Sequence, residues 1–147
     1  MKQASPNPYL RTRVMTASPE QLRLMLYDGA LRFTRQGREA IDRGDYETSY
    51  NAIARAKRIV LELSNSLNRD AHPDLCQRLA ALYTYIYRRL MDVNMSRDVA
   101  ALDEAIELIG YERETWQMYM DKLQSDGGGN AGVDGGEATP GTLSRSA

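Results

Sequence analysis

From Ser18 to Gln124 the chain carries only two prolines, Pro19 and Pro73, and each stands where a helix would begin. A proline ring fits the first helical turn and breaks a helix elsewhere, so the rest of this stretch is free to run as long helices. Ser18-Pro19-Glu20-Gln21 reads as an N-cap serine with glutamine closing a capping box. Gly44-Asp45 offers a left-handed C-cap and the next N-cap in two residues. The spacing predicts four helices: Pro19 to about Arg43, about Asp45 to Ser66, Pro73 to near Met95, and one opened by Ser96-Arg97-Asp98 that ends near Leu123. So short a link as Gly44-Asp45 forces antiparallel neighbours, and four helices of comparable length make an all-α, up-down four-helix bundle the expected fold.

The flanks read differently. Residues 1–17, with Pro6 and Pro8, are expected to form an irregular, mobile N-terminal segment whose Tyr9, Leu10, Val14 and Met15 need a place to go. The bundle should then occupy 18–124. Residues 125–147 hold seven of the eleven glycines and almost no apolar side chains, which predicts a disordered tail that cannot offset its ordering entropy.

Charge excludes several function classes. Nineteen Lys and Arg against twenty Asp and Glu leave a formal charge of −1, without the bulk field that holds nucleic acid non-specifically. The single cysteine, Cys76, precludes an internal disulfide framework and fits a reducing compartment. No apolar run is long enough for a signal peptide or a membrane span, so the expected location is the cytoplasm, without membrane insertion.

Apolar residues exceed what the bundle needs. On the first predicted helix Leu22, Leu26, Gly29, Phe33 and Ala40 make the expected core stripe, and Leu24, Tyr27 and Leu31 lie roughly opposite it at about 100° per residue. On the second, Tyr46, Tyr50 and Ile53 widen the stripe of Ala52, Ala56, Ile59 and Leu63. On the third, Tyr83, Tyr85 and Tyr87 cannot all point inward, and Tyr83, Tyr87 and Asn94 form a row beside the core. Surplus stripes on three helices suggest grooves for an amphipathic partner helix, with methionines such as Met91 able to adapt to it. A second copy of the chain could cover the same surface.

Catalytic patterns are scarce, and no cofactor or metal is expected. The lone His72 precedes Pro73 at a helix start, a place for capping rather than for the mid-helix phosphohistidine of a phosphotransfer bundle. Glu-x-x-His, the repeated motif of di-iron bundles, does not occur. Cys76 reads as a small buried hydrophobe, and Arg113 either as half of an ion pair or as an anchor for partner carboxylates. An enzyme is not expected.

Specific words carry more. Asn7-Pro8-Tyr9, Thr16-Ala17-Ser18-Pro19-Glu20-Gln21-Leu22 and Met25-Leu26-Tyr27-Asp28-Gly29-Ala30 are followed in order by Gly44-Asp45 and Lys57-Arg58-Ile59-Val60-Leu61-Glu62-Leu63. Leu82-Tyr83-Thr84-Tyr85, Arg88-Arg89-Leu90 with Asn94, and Trp116 complete the series. Together, over about four-fifths of the chain, they closely resemble the bacterial flagellin-export chaperones of the FliS family. Val93 and Thr84 depart from that family's usual alanine and aspartate, and Ala71-His72-Pro73-Asp74 departs from its usual approach to the third helix.

The resemblance implies a cytoplasmic, non-enzymatic chaperone that binds the disordered C-terminal segment of flagellin, prevents premature polymerisation and delivers it to the flagellar type III export gate. It implies inter-helix grooves lined by Leu24, Tyr27, Leu31, Tyr50, Ile53, Tyr83 and Tyr87, with Asn51, Lys57 and Asn94 setting register. It also implies an N-terminal segment with Tyr9, Leu10 and Val14, the first linked to contact with an export-gate protein. Weak self-association is compatible with the same surfaces. On this reading Tyr27→Glu or Tyr83→Glu spares helicity and abolishes binding.

Overall fold

Each helix start is held by the residue the sequence puts there. In the computed structural model, which describes residues 7–133, Ser18 Oγ accepts from the Gln21 N–H at 3.1 Å and Gln21 Oε1 accepts from the Ser18 N–H at 2.9 Å, closing the capping box. This box opens α2 (Pro19–Asp42), which ends as Gly44 turns to φ 76°. Asp45 caps α3 (Tyr46–Asn65) by accepting from the Thr48 N–H. The helix α4 (Pro73–Ser96) begins with His72 at the N-cap, but the histidine side chain makes no capping bond. Arg97 then takes a left-handed conformation, φ 53°, and Asp98 accepts from the Ala101 N–H at the head of α5 (Val99–Val133). All the secondary structure among the described residues is helical.

Two expectations about the flanks are corrected. The N-terminal segment is not irregular throughout: Pro8–Thr16 form a helix, α1, because Asn7 Oδ1 accepts from the Tyr9 N–H at 2.9 Å and Pro8 fits the first turn. None of its residues is buried. At the other end α5 does not stop near Leu123 but continues to Val133. Propagating an existing helix needs no new nucleus, and each glycine in it costs only about 1 kcal/mol. The expected disorder of residues 134–147 lies outside the described residues.

The chain divides into two units, Met1–Arg113 and Glu114–Ala147. Within the first, the contacts run in opposite directions along neighbouring helices. Arg23 near the start of α2 meets Ser66 past the end of α3 at 3.0 Å, whereas Gly37 near the end of α2 lies against Ile53 in early α3. Asn94 late in α4 reaches the Tyr50 carbonyl early in α3. Arg38 Nε pairs with Asp103 at 2.7 Å and Arg113 Nε with Asp28 at 2.8 Å, which sets the first half of α5 antiparallel to α2. The second unit has its own local contacts, a Trp116–Tyr119 ring pair at 4.9 Å and a Gln117–Asp121 hydrogen bond.

The buried face of α2 matches the expected stripe only at Gly29 and Ala40. Tyr27, Ala30, Leu31, Thr34, Gly37 and Ala40 are buried, and Leu22, Leu26 and Phe33 are only half-buried. Small residues decide this. A Cβ on Gly37 would stand 2.7 Å from Ile53 Cδ1, so the glycine lets α3 approach closely, and Gly29 is set against Ile59 in the same way. Thr34 tolerates burial because its hydroxyl donates back to the Ala30 and Leu31 carbonyls at 2.8 and 3.0 Å. From the other helices Ile53, Val60 and Leu63, Tyr83, Ile86 and Leu90, and Leu102 and Ile109 complete the core.

Candidate functional site: the trough between α3 and α4

With α3 and α4 antiparallel, positions spaced by three, four or seven residues on each helix line one trough. It measures about 200 Å³ and has Val60 and Tyr83 as its floor. Leu61 and Met91 rise from either side, 49% and 39% exposed. Tyr87, Ser64, Thr84 and Arg88 complete the lining. At the Tyr87 level the Lys57 ammonium stands 5.7 Å from the ring centroid, and one end of the face is closed by Asn94 Nδ2 donating to the Tyr50 carbonyl at 3.2 Å. Tyr50 itself is more than half exposed beside this bond.

Beneath the floor lies a polar network that joins three helices. Arg23 Nη2 donates to the Tyr83 hydroxyl at 2.8 Å, Tyr83 shares a short hydrogen bond of 2.5 Å with the Tyr27 hydroxyl, and Arg23 Nη1 donates to Ser66 Oγ at 3.0 Å. Burial, reinforced by Tyr27, pushes the Tyr83 phenol far above its ordinary pKa, although Arg23 pulls the other way. The Tyr83 hydroxyl therefore stays neutral and acts as a hydrogen-bonding group. Glu112 is raised as well, by desolvation, with Arg23 again opposing.

The structure sorts the residues expected to line grooves. Tyr50, Asn51, Lys57, Tyr87 and Asn94 are exposed or half-exposed on α3 and α4, and Leu24 is half-buried on α2. Tyr27, Leu31, Ile53 and Tyr83 are core residues, and only Tyr83 also shows an edge to the trough. The expectation that Tyr27→Glu or Tyr83→Glu would leave helicity intact is therefore wrong, since either change puts a carboxylate into a packed, hydrogen-bonded interior. Tyr9, Leu10 and Val14 are all exposed on α1. Tyr85 points elsewhere and donates to the Glu104 carboxylate, which also accepts from Arg89. Arg113 takes the ion-pair role, and Cys76 is buried with its thiol toward the Asn68 carbonyl.

Leu61, Ser64 and Arg88 were not among the expected groove residues. Their signal was present in the spacing: Leu61 and Ser64 lie four and seven residues beyond Lys57, and Arg88 four beyond Thr84.

Fold and trough together define a class, an all-helical protein that offers an open apolar channel between two helices. Comparison with known proteins narrows it. The family model described as Flagellar protein FliS matches residues 1–123, and the chain belongs to that family. It is 34% identical to the flagellar secretion chaperone FliS of Bacillus subtilis (strain 168), over 86% of this chain and 96% of that one. It is 31% identical to the flagellar secretion chaperone FliS of Salmonella typhimurium, over 77% and 84% of the two chains. A crystal structure of a flagellar chaperone from bacteria shares the fold with a TM-score of 0.66 at 20% identity, covering 78% of this chain and 95% of that one. The family is one of chaperones and not of enzymes, which supports a non-enzymatic reading. No helix among the described residues is long and apolar enough to cross a membrane.

Proposed function

We propose that this chain is a cytoplasmic flagellar secretion chaperone that binds the disordered C-terminal segment of flagellin, keeps it from polymerising early and brings it to the flagellar type III export gate. The observation that carries the reading is the exposed apolar trough between α3 and α4 in a chain of the FliS family. A flagellin tail is amphipathic and packs against copies of itself, so a channel that buries the same face blocks assembly. Ordering the tail consumes part of the interaction energy, which leaves a large interface releasable.

In this reading α2, α3, α4 and the first half of α5 act as an antiparallel four-helix bundle, with α1 as a separate exposed arm. Tyr50, Leu61, Tyr87 and Met91 supply contact area, and Asn51, Lys57 and Asn94 set register. Asn94 is suited to this because its amide already satisfies a helix carbonyl, that of Tyr50. The exposed Tyr9, Leu10 and Val14 of α1 are available to the export-gate protein. Leu24 contributes from α2, whereas Tyr27, Leu31, Ile53 and Tyr83 serve by holding the walls in place.

Calorimetric titration with the C-terminal segment of flagellin from the same organism, followed in parallel by circular dichroism, tests the proposal. One-to-one binding with a gain of helix supports it. No heat and no helix gain would overturn it, and concentration-dependent mass without any peptide would assign the trough to self-association.

A further inference from the structure

The trough is held from behind by one side chain. Arg23, half-buried on α2, lies outside the lining yet reaches the helices that form both walls. Its Nη2 donates to the Tyr83 hydroxyl of α4 at 2.8 Å and to the Leu63 carbonyl of α3 at 3.5 Å, and its Nη1 donates to Ser66 Oγ at 3.0 Å. Its guanidinium carbon stands 5.7 Å from the ring centroids of both Tyr27 and Tyr83. Of these partners only Tyr83 lines the trough. The Tyr83 ring is therefore fixed at its backbone end by α4 and at its hydroxyl end by Arg23 and Tyr27.

We infer that Arg23 is a positioning residue for partner binding: it acts through Tyr83, holding that ring in the floor against which the bound segment packs. The inference rests on the chaperone reading above. A floor ring tied at both ends is preorganised, so binding does not bear the cost of ordering its rotamer. Arginine suits this task where lysine does not. The planar fork spreads its donors over Ser66, Leu63 and Tyr83 while its carbon stays over two rings, whereas an ammonium is a compact point charge that cannot span the same set. The two arms have different effects. The bonds to Ser66 and Leu63 seat the guanidinium on the last turn of α3, and the bond to Tyr83 passes that placement on to the trough.

The test uses the full chain and the C-terminal flagellin segment, titrated at a temperature where every variant is folded. Arg23→Met should weaken binding about fivefold, and Arg23→Lys nearly as much. In a Tyr83→Phe background Arg23→Met should change affinity by less than about twofold, because the bond through which it acts is already gone. Ile109→Val, a core truncation on α5 outside the trough lining, lowers stability but should leave affinity within about twofold. With isotope-labelled tyrosine, the Tyr83 ring signals of the free chain should broaden in both Arg23 variants as the ring gains rotamers. Full affinity in both Arg23 variants, an equal loss with and without the Tyr83 hydroxyl, an equal loss in Ile109→Val, or unchanged Tyr83 signals would each overturn the positioning role and leave the chaperone reading standing. Full recovery by lysine would assign the effect to charge and overturn it as well. Absence of any binding by the unmodified chain would overturn both.

Discussion

At the residue scale the Arg23–Tyr83–Tyr27 chain shows how a buried polar group is accommodated. Tyr83 bonds both neighbours, so Tyr83→Phe strips a partner from each, at a cost of about 1–3 kcal/mol. Tyr27→Phe leaves Tyr83 its bond to Arg23 and should cost less. Urea denaturation would establish this order, and equal losses would mean that Arg23 contributes nothing to holding Tyr83. Tyr83→Glu should instead abolish the cooperative helical signal in circular dichroism. Glu112 gives a pH prediction. Desolvation raises its folded pKa above the unfolded value, so the folded state binds the proton more tightly and stability is lost as pH rises through the folded pKa. Glu112→Gln removes that loss. Its melting temperature should match the unmodified chain in acid and exceed it at neutral pH, and thermal scans across pH would reveal a contrary sign.

At the scale of elements the decisive contact is between α2 and α3. Gly37→Ala improves helix propensity by about 1 kcal/mol, but the new methyl meets Ile53 Cδ1 at 2.7 Å and Cγ1 at 3.0 Å in a side chain with no exposed surface. Overpacking of this kind costs about 1–3 kcal/mol, so the substitution should destabilise. Adding Ile53→Val deletes Cδ1 and should recover part of the loss, a coupling that a double-mutant cycle measures directly. Simple additivity would show that the two helices do not in fact meet there. Helix α1 is the opposite case. It buries nothing, so removing residues 1–16 should move the melting temperature by less than about 2 °C. A larger drop would mean that α1 packs in solution.

At the scale of the whole molecule, much was legible in the sequence. Pro19, Pro73, the Ser18 box and the Gly44-Asp45 link fixed where α2, α3 and α4 begin, because capping is local chemistry within a few residues. Family membership was legible too, in ordered words from Asn7 to Trp116. The inward face of α2 was legible only in part, at Gly29 and Ala40. Large apolar side chains pointed to Leu22, Leu26 and Phe33, whereas the closest helix approach is made by Gly37 and buries Ala30, Leu31 and Thr34. The burial of Tyr27 and Tyr83 was not legible for a related reason: a tyrosine needs a hydrogen-bond partner to be buried, and theirs are each other and Arg23, 56 and 60 residues away from Tyr83 in the chain. Local chemistry, caps and periodicity, is written in neighbouring residues, so the sequence by itself determined α2, α3, α4 and the start of α5, and their order, but neither α1 nor the far end of α5. Which side of each helix is covered depends on how closely backbones approach and on partners distant in sequence, and only the tertiary structure decided that, and with it which tyrosines hold the core and which line the trough.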